Sequence, residues 1–342
     1  MERTYAEYAA RQAMELLAID SPTGFTARAA DWVQRAFEEL GYTARRTAKG
    51  GVLVDLGGRG EGLLLEAHAD TLGGMVAEVK NSGRLRLTPL GGMRAENGEA
   101  ENVRVYTRGG RVLEGTFQLC NASVHVNGQY GDTKRTFDSC EVVLDEDVKS
   151  AEETRTLGVE VGDVVCFEPR TRLTASGYIK SRFLDDKLSV GILLGLAKYL
   201  KDTGTVPQRH VYLHVTVYEE VGHGGATLPA VDELLAVDMG CVGDDLNCTE
   251  YQVSICAKDN NGPYDYGMVT RLVELAKANG VDYAVDIYPH YGSDVAAAWE
   301  AGMDARGALI GPGVHASHGM ERTHYDGLKA AMELTALYLE LA

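Results

Sequence analysis

Apolar residues recur with two different periods along this chain, and the change of period marks where the architecture changes. Over residues 26–40 the apolar positions follow the spacing of a helix, which Gly41 ends. Short apolar runs at 51–56 and 63–67 then predict two strands joined by a glycine-rich turn. We therefore expect the chain to begin as an α/β fold whose second strand leads directly into His68.

After Asp70 the pattern becomes that of short alternating strands. Gly and Asn interrupt the apolar segments, and no long helical stripe appears before Leu173. The predicted strands are 75–79, 85–87, 103–106, 112–117, 123–126, 141–144 and 164–168. Such a run predicts a small all-β barrel inserted into the α/β domain. The stretch 145–156, rich in Asp, Glu and Lys, is expected to be a short helix or a mobile edge of that barrel.

From Leu173 onward, helical and strand patterns alternate again. Predicted helices cover 187–200, 266–278 and 293–301, with a terminal helix from Tyr325; predicted strands cover 211–218, 234–237, 251–257, 283–288 and 306–310. This alternation predicts a mostly parallel, twisted sheet with helices on both faces. The expected domains are 1–71 with 172–342 for the α/β part and 72–171 for the inserted part.

Composition narrows the classes of partner. The 342 residues carry a net charge of −17, which argues against nucleic acid or an anionic membrane as a partner. No apolar run is long enough to cross a bilayer, and the charged N-terminus lacks a signal peptide, so a cytoplasmic location is expected. The six cysteines form no Cys-x-x-Cys pair, so any metal is expected to be held by His and carboxylate side chains.

The pair Glu219–Glu220 is the most informative polar feature, because it ends the apolar run 211–218. Two adjacent carboxylates at the end of a buried strand repel each other unless cations or a shared proton compensate them. Other acidic or imidazole groups follow strand-like runs or lie in glycine-rich loops: His68, Asp70, Asp185, Asp186, Asp238 and His318. This distribution predicts a metal site at the carboxyl edge of an α/β sheet.

Each of these residues also has an ordinary structural interpretation. A histidine such as His68 is, taken alone, more commonly one in a buried hydrogen bond. Asp185 and Asp186 could cap the helix beginning at Lys187, and Asp238 could be a turn residue. Taken together, so many acidic and imidazole groups at the ends of different strands favour a metal site over that interpretation.

A site with two metal ions has a specific need for these residue types. Two divalent ions about 3.5–4 Å apart require a bridging carboxylate and further ligands on each side. A carboxylate that is not a ligand must take the proton of the attacking water and pass it to the leaving group. Adjacent glutamates could divide this work, one binding metal and one acting as the base.

The order of the motifs resembles that of the tetrahedral (TET) aminopeptidases, a family of dinuclear metallopeptidases that includes glutamyl and deblocking aminopeptidases. The motifs are His-x-Asp at His68, Leu-Asp-Asp-Lys at Leu184, Glu-Glu-Val-Gly at Glu219, Val-Asp-Met-Gly at Val237 and a late histidine. The long β-rich segment lies in the same place as in that family, and the similarity covers essentially the whole chain.

The resemblance implies a role for each residue. His68 and Asp238 would bind one ion, Asp185 would bridge both, and Glu220 and His318 would complete the second ion's shell. Glu219 would be the general base, and Asp70 would support His68. His318 is preferred because Glu321 follows it closely, and His315 and His324 are the alternatives.

The resemblance also implies the cofactor, the partners and the assembly. It implies two divalent ions, most simply zinc with cobalt or manganese as alternatives, and short peptides as substrates. It implies a PDZ-like or barrel-like lid domain over about 72–171 and a homo-oligomer, typically a hollow dodecamer.

Three other functions compete with this one. A dinuclear-metal deacylase or carboxypeptidase of the desuccinylase type also uses His-x-Asp and a Glu-Glu pair, but its extra domain follows that pair, whereas here the β-rich segment precedes Asp185. A glycoside hydrolase would need two carboxylates about 5–9.5 Å apart across a sugar, which adjacent glutamates do not readily provide. A non-enzymatic scaffold would have lost one of the expected positions, and every one is filled.

Overall fold

The computed structural model describes residues 2–226 and 229–340. The chain forms two compact units, one made of Met1–Asp70 together with Arg170–Ala342 and the other of Thr71–Pro169. The first segment of the larger unit contains helices α1 (Arg3–Leu17) and α2 (Ala27–Glu39) and strands β1 (Ala44–Arg46), β2 (Val52–Gly57) and β3 (Gly62–His68). Of these, α2, β2 and β3 are the elements predicted from the sequence.

The smaller unit is a closed barrel of six antiparallel strands. Its strands are β4 (Gly73–Val79), β5 (Leu85–Leu90), β6 (Glu101–Tyr106), β7 (Val112–Leu119), β8 (Cys140–Leu144) and β9 (Val164–Phe167), with short helices α3 (Ala95–Gly98) and α4 (Ala151–Thr156). The order around the barrel is β4-β5-β8-β7-β6-β9. The predicted barrel is confirmed. The predicted strand at 123–126 is wrong, because those residues form turns that leave Val124 and Val126 exposed.

The second segment of the larger unit supplies the remaining elements. They are β10 (Arg172–Leu173), β11 (Tyr178–Ser181), α5 (Leu184–Thr203), β12 (His210–Thr216), β13 (Glu233–Val237), β14 (Gly240–Val242), β15 (Val253–Asp259), β16 (Gly262–Pro263), α6 (Tyr266–Asn279), β17 (Tyr283–Ile287), α7 (Asp294–Glu300), β18 (Arg306–His315), β19 (Glu321–His324) and α8 (Tyr325–Tyr338). A single 3₁₀ turn, Glu219–Val221, follows β12. No helix among the described residues is both long and apolar enough to span a bilayer.

One mixed sheet runs through the larger unit. Its central strands lie in the order β12-β3-β13-β18 and are parallel, with Leu213 beside Leu65, Leu65 beside Leu235, and Leu235 beside Ala308. Other pairs, β1 with β2 and β10 with β11 among them, are antiparallel. The predicted fold class is confirmed: an α/β sheet covered by helices on both faces, with an inserted barrel. Parallel pairing also occurs beyond the four central strands, between β14 and β18 and between β15 and β17.

Successive side chains of the central strands are buried on opposite faces of the sheet. On one face Leu234 and Ala236 of β13 pack in one apolar cluster with Val295 and Ala298 of α7. The long helix α5 packs against β3 and against α1 and α8. α1 and α5 approach so closely that a Cβ at Gly191 would lie 2.5 Å from the carbonyl oxygen of Ala9. The buried central strands are therefore fixed from both sides, and so are the positions at which they end.

Candidate metal centre

The predicted site residues converge at the edge of the sheet where the central parallel strands end. β3 ends at His68, the 3₁₀ turn with Glu219 and Glu220 follows β12, and Asp238 directly follows β13. Because β12, β3 and β13 are adjacent and parallel, their carboxyl ends meet at one edge. Asp185, at the start of α5, and His318, in the loop between β18 and β19, reach the same place.

His68 lies at the middle of the cluster, and its ring is fixed by the next turn of the chain. The side chain is buried, and Nδ1 lies 2.9 Å from the carbonyl oxygen of Asp70. A carbonyl oxygen can only accept, so Nδ1 carries a proton and donates it there. Nε2 then faces the cluster, 3.1 Å from Oδ1 of Asp185. This is the orientation in which an imidazole offers Nε2 to a metal ion.

Asp185 lies between the two histidines, with one carboxylate oxygen toward each. Oδ1 faces His68, and Oδ2 lies 3.4 Å from Nε2 of His318. Glu321 holds both partners in place, because its Oε2 accepts the backbone N–H of Asp185 at 3.0 Å and its Oε1 accepts that of His318 at 2.9 Å. The Asp185–Asp186 pair does not serve as a helix cap, since both side chains are buried in the cluster.

The two glutamates face different histidines. β12 ends at Thr216, two residues earlier than predicted, and the pair lies in the 3₁₀ turn beyond the strand. Glu219 Oε2 is 3.6 Å from Nε2 of His68, and Glu220 Oε2 is 3.6 Å from Nε2 of His318. The carboxylate of Asp70 accepts the backbone N–H groups of Glu219 at 3.2 Å and Glu220 at 3.4 Å. Asp70 therefore supports the glutamate turn with its side chain and His68 with its backbone.

Two groups of side chains bring potential ligand atoms within 4.8 Å of one another. One consists of His68, Asp185 and Glu220, and the other of His68, Asp186 and Asp238. Asp238 is held by its backbone N–H, which donates to the carbonyl oxygen of Ile310 at 3.0 Å. The cluster therefore has two overlapping groups of potential ligands, and His68 belongs to both.

The three late histidines occupy different surroundings. His318 is the one that faces Asp185 and Glu220. His315 ends β18 as an exposed residue, and His324 caps α8 by accepting the backbone N–H of Asp326 at 3.1 Å. His324 Nε2 also lies 2.9 Å from the carbonyl oxygen of Ser176. The geometry places His318, and neither alternative, against the other predicted ligands.

Burial of so many charges shifts their acid–base equilibria strongly. Burial raises the pKa of Glu219 and Glu220 well above the usual range, and burial together with Asp185 raises that of Asp238 to about 7. The pKa of Asp185 is instead lowered, because hydrogen bonds with His318 and His68 outweigh its burial. The same hydrogen bond with Asp185 outweighs burial at His318 and raises its pKa to about 9. Such perturbed groups in one cluster are typical of a functional site.

Three further residues take part in this region, and the sequence assigned none of them the contact that the structure shows. Asp186 accepts the backbone N–H of His68 at 3.1 Å, and Glu321 braces Asp185 and His318. Asp294 lies at the start of α7 with its carboxylate against the segment that follows the glutamates. Asp186 lies within the Leu-Asp-Asp-Lys motif and Glu321 lies three residues after His318, which is a signal that could have found them. Asp294 has no such neighbour, because its contacts come from distant parts of the chain.

Comparison with known proteins gives a consistent result. The profile of the M42 glutamyl aminopeptidase family matches residues 50–334. YhfE of Bacillus subtilis (strain 168) is 41% identical over 330 residues, which cover 95% of this chain and 95% of YhfE.

Two solved structures share the fold. The aminopeptidase APDkam598 from the archaeon Desulfurococcus kamchatkensis has a TM-score of 0.87 at 21% identity and covers 98% of this chain and 95% of its own. The Pyrococcus horikoshii TET1 peptidase has a TM-score of 0.84 at 22% identity and covers 97% of this chain and 99% of its own. The resemblance to the TET aminopeptidases is confirmed. The chain belongs to the M42 glutamyl aminopeptidase family and is a metal-dependent aminopeptidase.

Proposed function

We propose that this M42 peptidase holds two divalent cations and uses Glu219 as a general base to release N-terminal residues from short peptides. The observation that carries the proposal is the arrangement around Asp185, whose two carboxylate oxygens face one histidine each. A carboxylate placed in this way suits a bridging position between two ions.

The residues present fit such a pair of ions. Oε1 of Glu220 and Oδ1 of Asp186 are buried and have no hydrogen-bond partner among the residues that the structure describes. The carboxylates of the cluster also outnumber its imidazoles: Asp70, Asp185, Asp186, Glu219, Glu220, Asp238 and Glu321 surround His68 and His318. Burying unpaired carboxylates costs several kcal/mol each unless cations compensate them. Divalent ions bound here would remove that cost.

The five ligands divide by position. His68 and Asp238 would hold one ion, Glu220 and His318 the other, and Asp185 would serve both. Asp186, which also lies within reach of His68 and Asp238, orients His68 through its backbone N–H. When bound, the ions would lower the pKa of a water molecule and polarise the scissile carbonyl.

Glu219 is the carboxylate best placed to move a proton. Its Oε2 lies beside His68 rather than His318, and its backbone is fixed by Asp70. Burial raises the pKa of Glu219, which brings a carboxylate closer to the range in which a group both accepts and releases a proton near neutral pH. Glu219 would accept the proton of the attacking water and donate it to the leaving amine.

The competing hydrolases fit less well. A desuccinylase-type deacylase would share this chemistry, but the match to the M42 family covers residues 50–334 and favours a free N-terminus as the substrate group. A glycosidase would need two carboxylates on opposite sides of a sugar. Glu219 and Glu220 instead lie in one turn, each toward a histidine.

A single assay series tests the proposal. The purified protein is treated with a chelator, restored with zinc, cobalt or manganese, and given aminoacyl-p-nitroanilides and their N-acetylated counterparts. We expect chelation to abolish activity, a metal to restore it, and the free-amine substrates alone to be cleaved. Chelator-resistant turnover, or preference for the acylated substrates, would refute the proposal.

We further propose that the protein is cytoplasmic and forms a homo-oligomer, with residues 72–171 as a separate domain that contributes to assembly. The support is the similarity to the TET1 peptidase of Pyrococcus horikoshii, which can assemble into a tetrahedron or a large octahedral shell. Light scattering coupled to size-exclusion chromatography should give the mass of a dodecamer. A monomeric mass at micromolar concentration would contradict the assembly.

A further inference from the structure

We propose that Asp294 is a positioning residue that fixes both ends of the segment carrying Glu219 and Glu220. The inference deepens the proposed function and rests on it. Asp294 is the first residue of α7 and is 4% exposed. It is far from the glutamates in sequence, and no motif marks it.

The two carboxylate oxygens of Asp294 bind on either side of the glutamate turn. Oδ2 accepts the hydroxyl of Thr216 at 2.5 Å, and Oδ1 accepts the backbone N–H of Gly225 at 2.8 Å. Thr216 is the last residue of β12, and Gly225 lies beyond the 3₁₀ turn. One buried carboxylate therefore ties together the two ends of the segment 217–224.

The backbone on the far side of the turn approaches Asp294 too closely for a side chain. A Cβ at Gly224 would lie 2.3 Å from Oδ1 of Asp294, and a Cβ at Gly225 would lie 2.3 Å from the carbonyl oxygen of Asp294. Neighbouring atoms do not tolerate such distances. The contact with Asp294 therefore requires glycine at both positions. The pair Gly224-Gly225 is the sequence feature that accompanies it.

Asp294 and Asp70 act on different parts of the same turn. Asp70 accepts the N–H groups of Glu219 and Glu220 themselves, whereas Asp294 holds the flanking residues. Catalytic carboxylates lose efficiency when displaced by as little as about 1 Å, so a turn of this kind needs support beyond its own hydrogen bonds. Asp294 supplies that support through Thr216 and Gly225.

A control variant at Asp286 distinguishes a loss of activity caused by displacement of the glutamate turn from one caused by a general loss of stability. Asp286 is also 4% exposed and also holds a nearby loop: it accepts the backbone N–H of Asn247 at 2.7 Å and of Cys248 at 3.0 Å, and the side-chain amide of Asn247 at 2.9 Å. Asp286→Ala should cost stability as Asp294→Ala does, but it leaves the glutamate turn intact.

The experiment measures kcat, KM and melting temperature with saturating metal for the wild type and for Asp294→Ala, Asp294→Asn, Thr216→Val, Thr216→Ser and Gly224→Ala. We expect Asp294→Ala and Gly224→Ala to lower kcat about 10–100-fold with KM changed less than about threefold. Asp294→Asn keeps an acceptor for Gly225 and should recover part of the loss. Thr216→Ser keeps the hydroxyl and should exceed Thr216→Val in kcat.

Three results would overturn the inference. The first is wild-type kcat in Asp294→Ala. The second is an equal loss of kcat in Asp286→Ala, which would make the effect one of stability. The third, which applies even if Asp294→Ala does not fold, is equal kcat in Thr216→Val and Thr216→Ser. Absence of chelator-sensitive aminopeptidase activity in the wild type would instead refute the proposed function.

Discussion

The two ends of strand β13 carry buried carboxylates in opposite electrostatic situations. At the first residue, Glu233 accepts from Arg209 at 2.5 Å, Arg306 at 2.7 Å and the hydroxyl of Tyr338 at 2.8 Å. Just after the last residue, Asp238 lies in the cluster with His68, and burial together with Asp185 raises its pKa to about 7.

The barrel repeats the first of these situations. Glu141 is buried, yet Lys80 at 2.8 Å and Arg84 at 2.5 Å outweigh the effect of burial and lower its pKa. At Glu233 and Glu141 the chain therefore supplies the compensating cations itself. At the carboxyl edge of the sheet the neighbours are mainly other carboxylates, and the cations proposed above would supply the compensating charge.

The proposed difference between the two ends of β13 would be refuted most clearly if Asp185 were dispensable. Asp185→Ala removes the carboxylate between the two histidines, so we expect both metal ions to be lost and activity to fall at least about 10⁴-fold. Metal content by mass spectrometry and kcat/KM check this. Asp185→Asn, which keeps the shape but not the charge, is the matched variant and should also lose metal. Retention of one ion at full affinity in either variant would contradict the bridging position.

The adjacent glutamates should differ from each other. Glu219→Gln should lower kcat about 10²–10⁴-fold with metal content nearly unchanged, because a proton carrier is lost and the ligands remain. Glu220→Gln should lower metal content as well. Activity and bound metal are measured on the same preparations. The reverse pattern would exchange the two roles.

The late histidines provide a finer test. His318→Ala should lower metal affinity at least about tenfold, since Nε2 of His318 lies beside Asp185 and Glu220. His315→Ala and His324→Ala are controls of equal size and should stay within about threefold of the wild type. Titration of the metal-free protein with zinc or cobalt measures all three. A larger effect at His324 would show that the wrong histidine is assigned.

Metal binding should also raise the melting temperature of the protein. If the edge cluster lacks compensating charge, a divalent ion at about 100 times its dissociation constant should add about 2.7 kcal/mol. That is about 5–10 °C in melting temperature for a domain of this size. Calorimetry with and without chelator measures it. Glu219→Gln should retain the shift, whereas Asp185→Ala should lose it; an unchanged melting temperature in the wild type would show the cluster to be balanced without ions.

The smallest effect is expected for substitution of Glu233, at the other end of β13. Glu233→Ala leaves the half-buried Arg209 without its carboxylate partner, while Arg306 can turn to solvent, so we expect about 2–3 kcal/mol of destabilisation and unchanged kcat. Denaturant unfolding measures the difference. Glu61→Ala, at an exposed residue 4.0 Å from Arg306, is the control and should change stability by less than about 0.5 kcal/mol.

The sequence predicted the elements that end at the site better than the elements that surround it. The apolar runs leading to His68 and Asp238 are buried strands, as expected, because a central parallel strand is apolar on both faces. The helix Arg3–Leu17 was not predicted. Its buried face consists largely of alanines, such as Ala9 and Ala13, and they pack against glycines of α5 that only the fold brings near.

Errors arose where local pattern and tertiary partners disagreed. Residues 123–126 alternate like a strand, but Val124 and Val126 find no partner strand and stay exposed. The sequence also placed Glu219 and Glu220 at a strand end, where neighbouring side chains point apart. The 3₁₀ turn, held by Asp70, lets both face the same cluster.

The sequence by itself determined the alternation of strands and helices, the inserted β-rich segment and the residue types available for a metal site. It did so because periodicity and motif order are local properties of the chain. Only the tertiary structure decided which late histidine faces Asp185, that Asp186 and Glu321 orient the ligands, and that Asp294 reaches the glutamate turn. Those relations depend on hydrogen bonds between residues far apart in sequence, which exist only after the sheet brings the strand ends together.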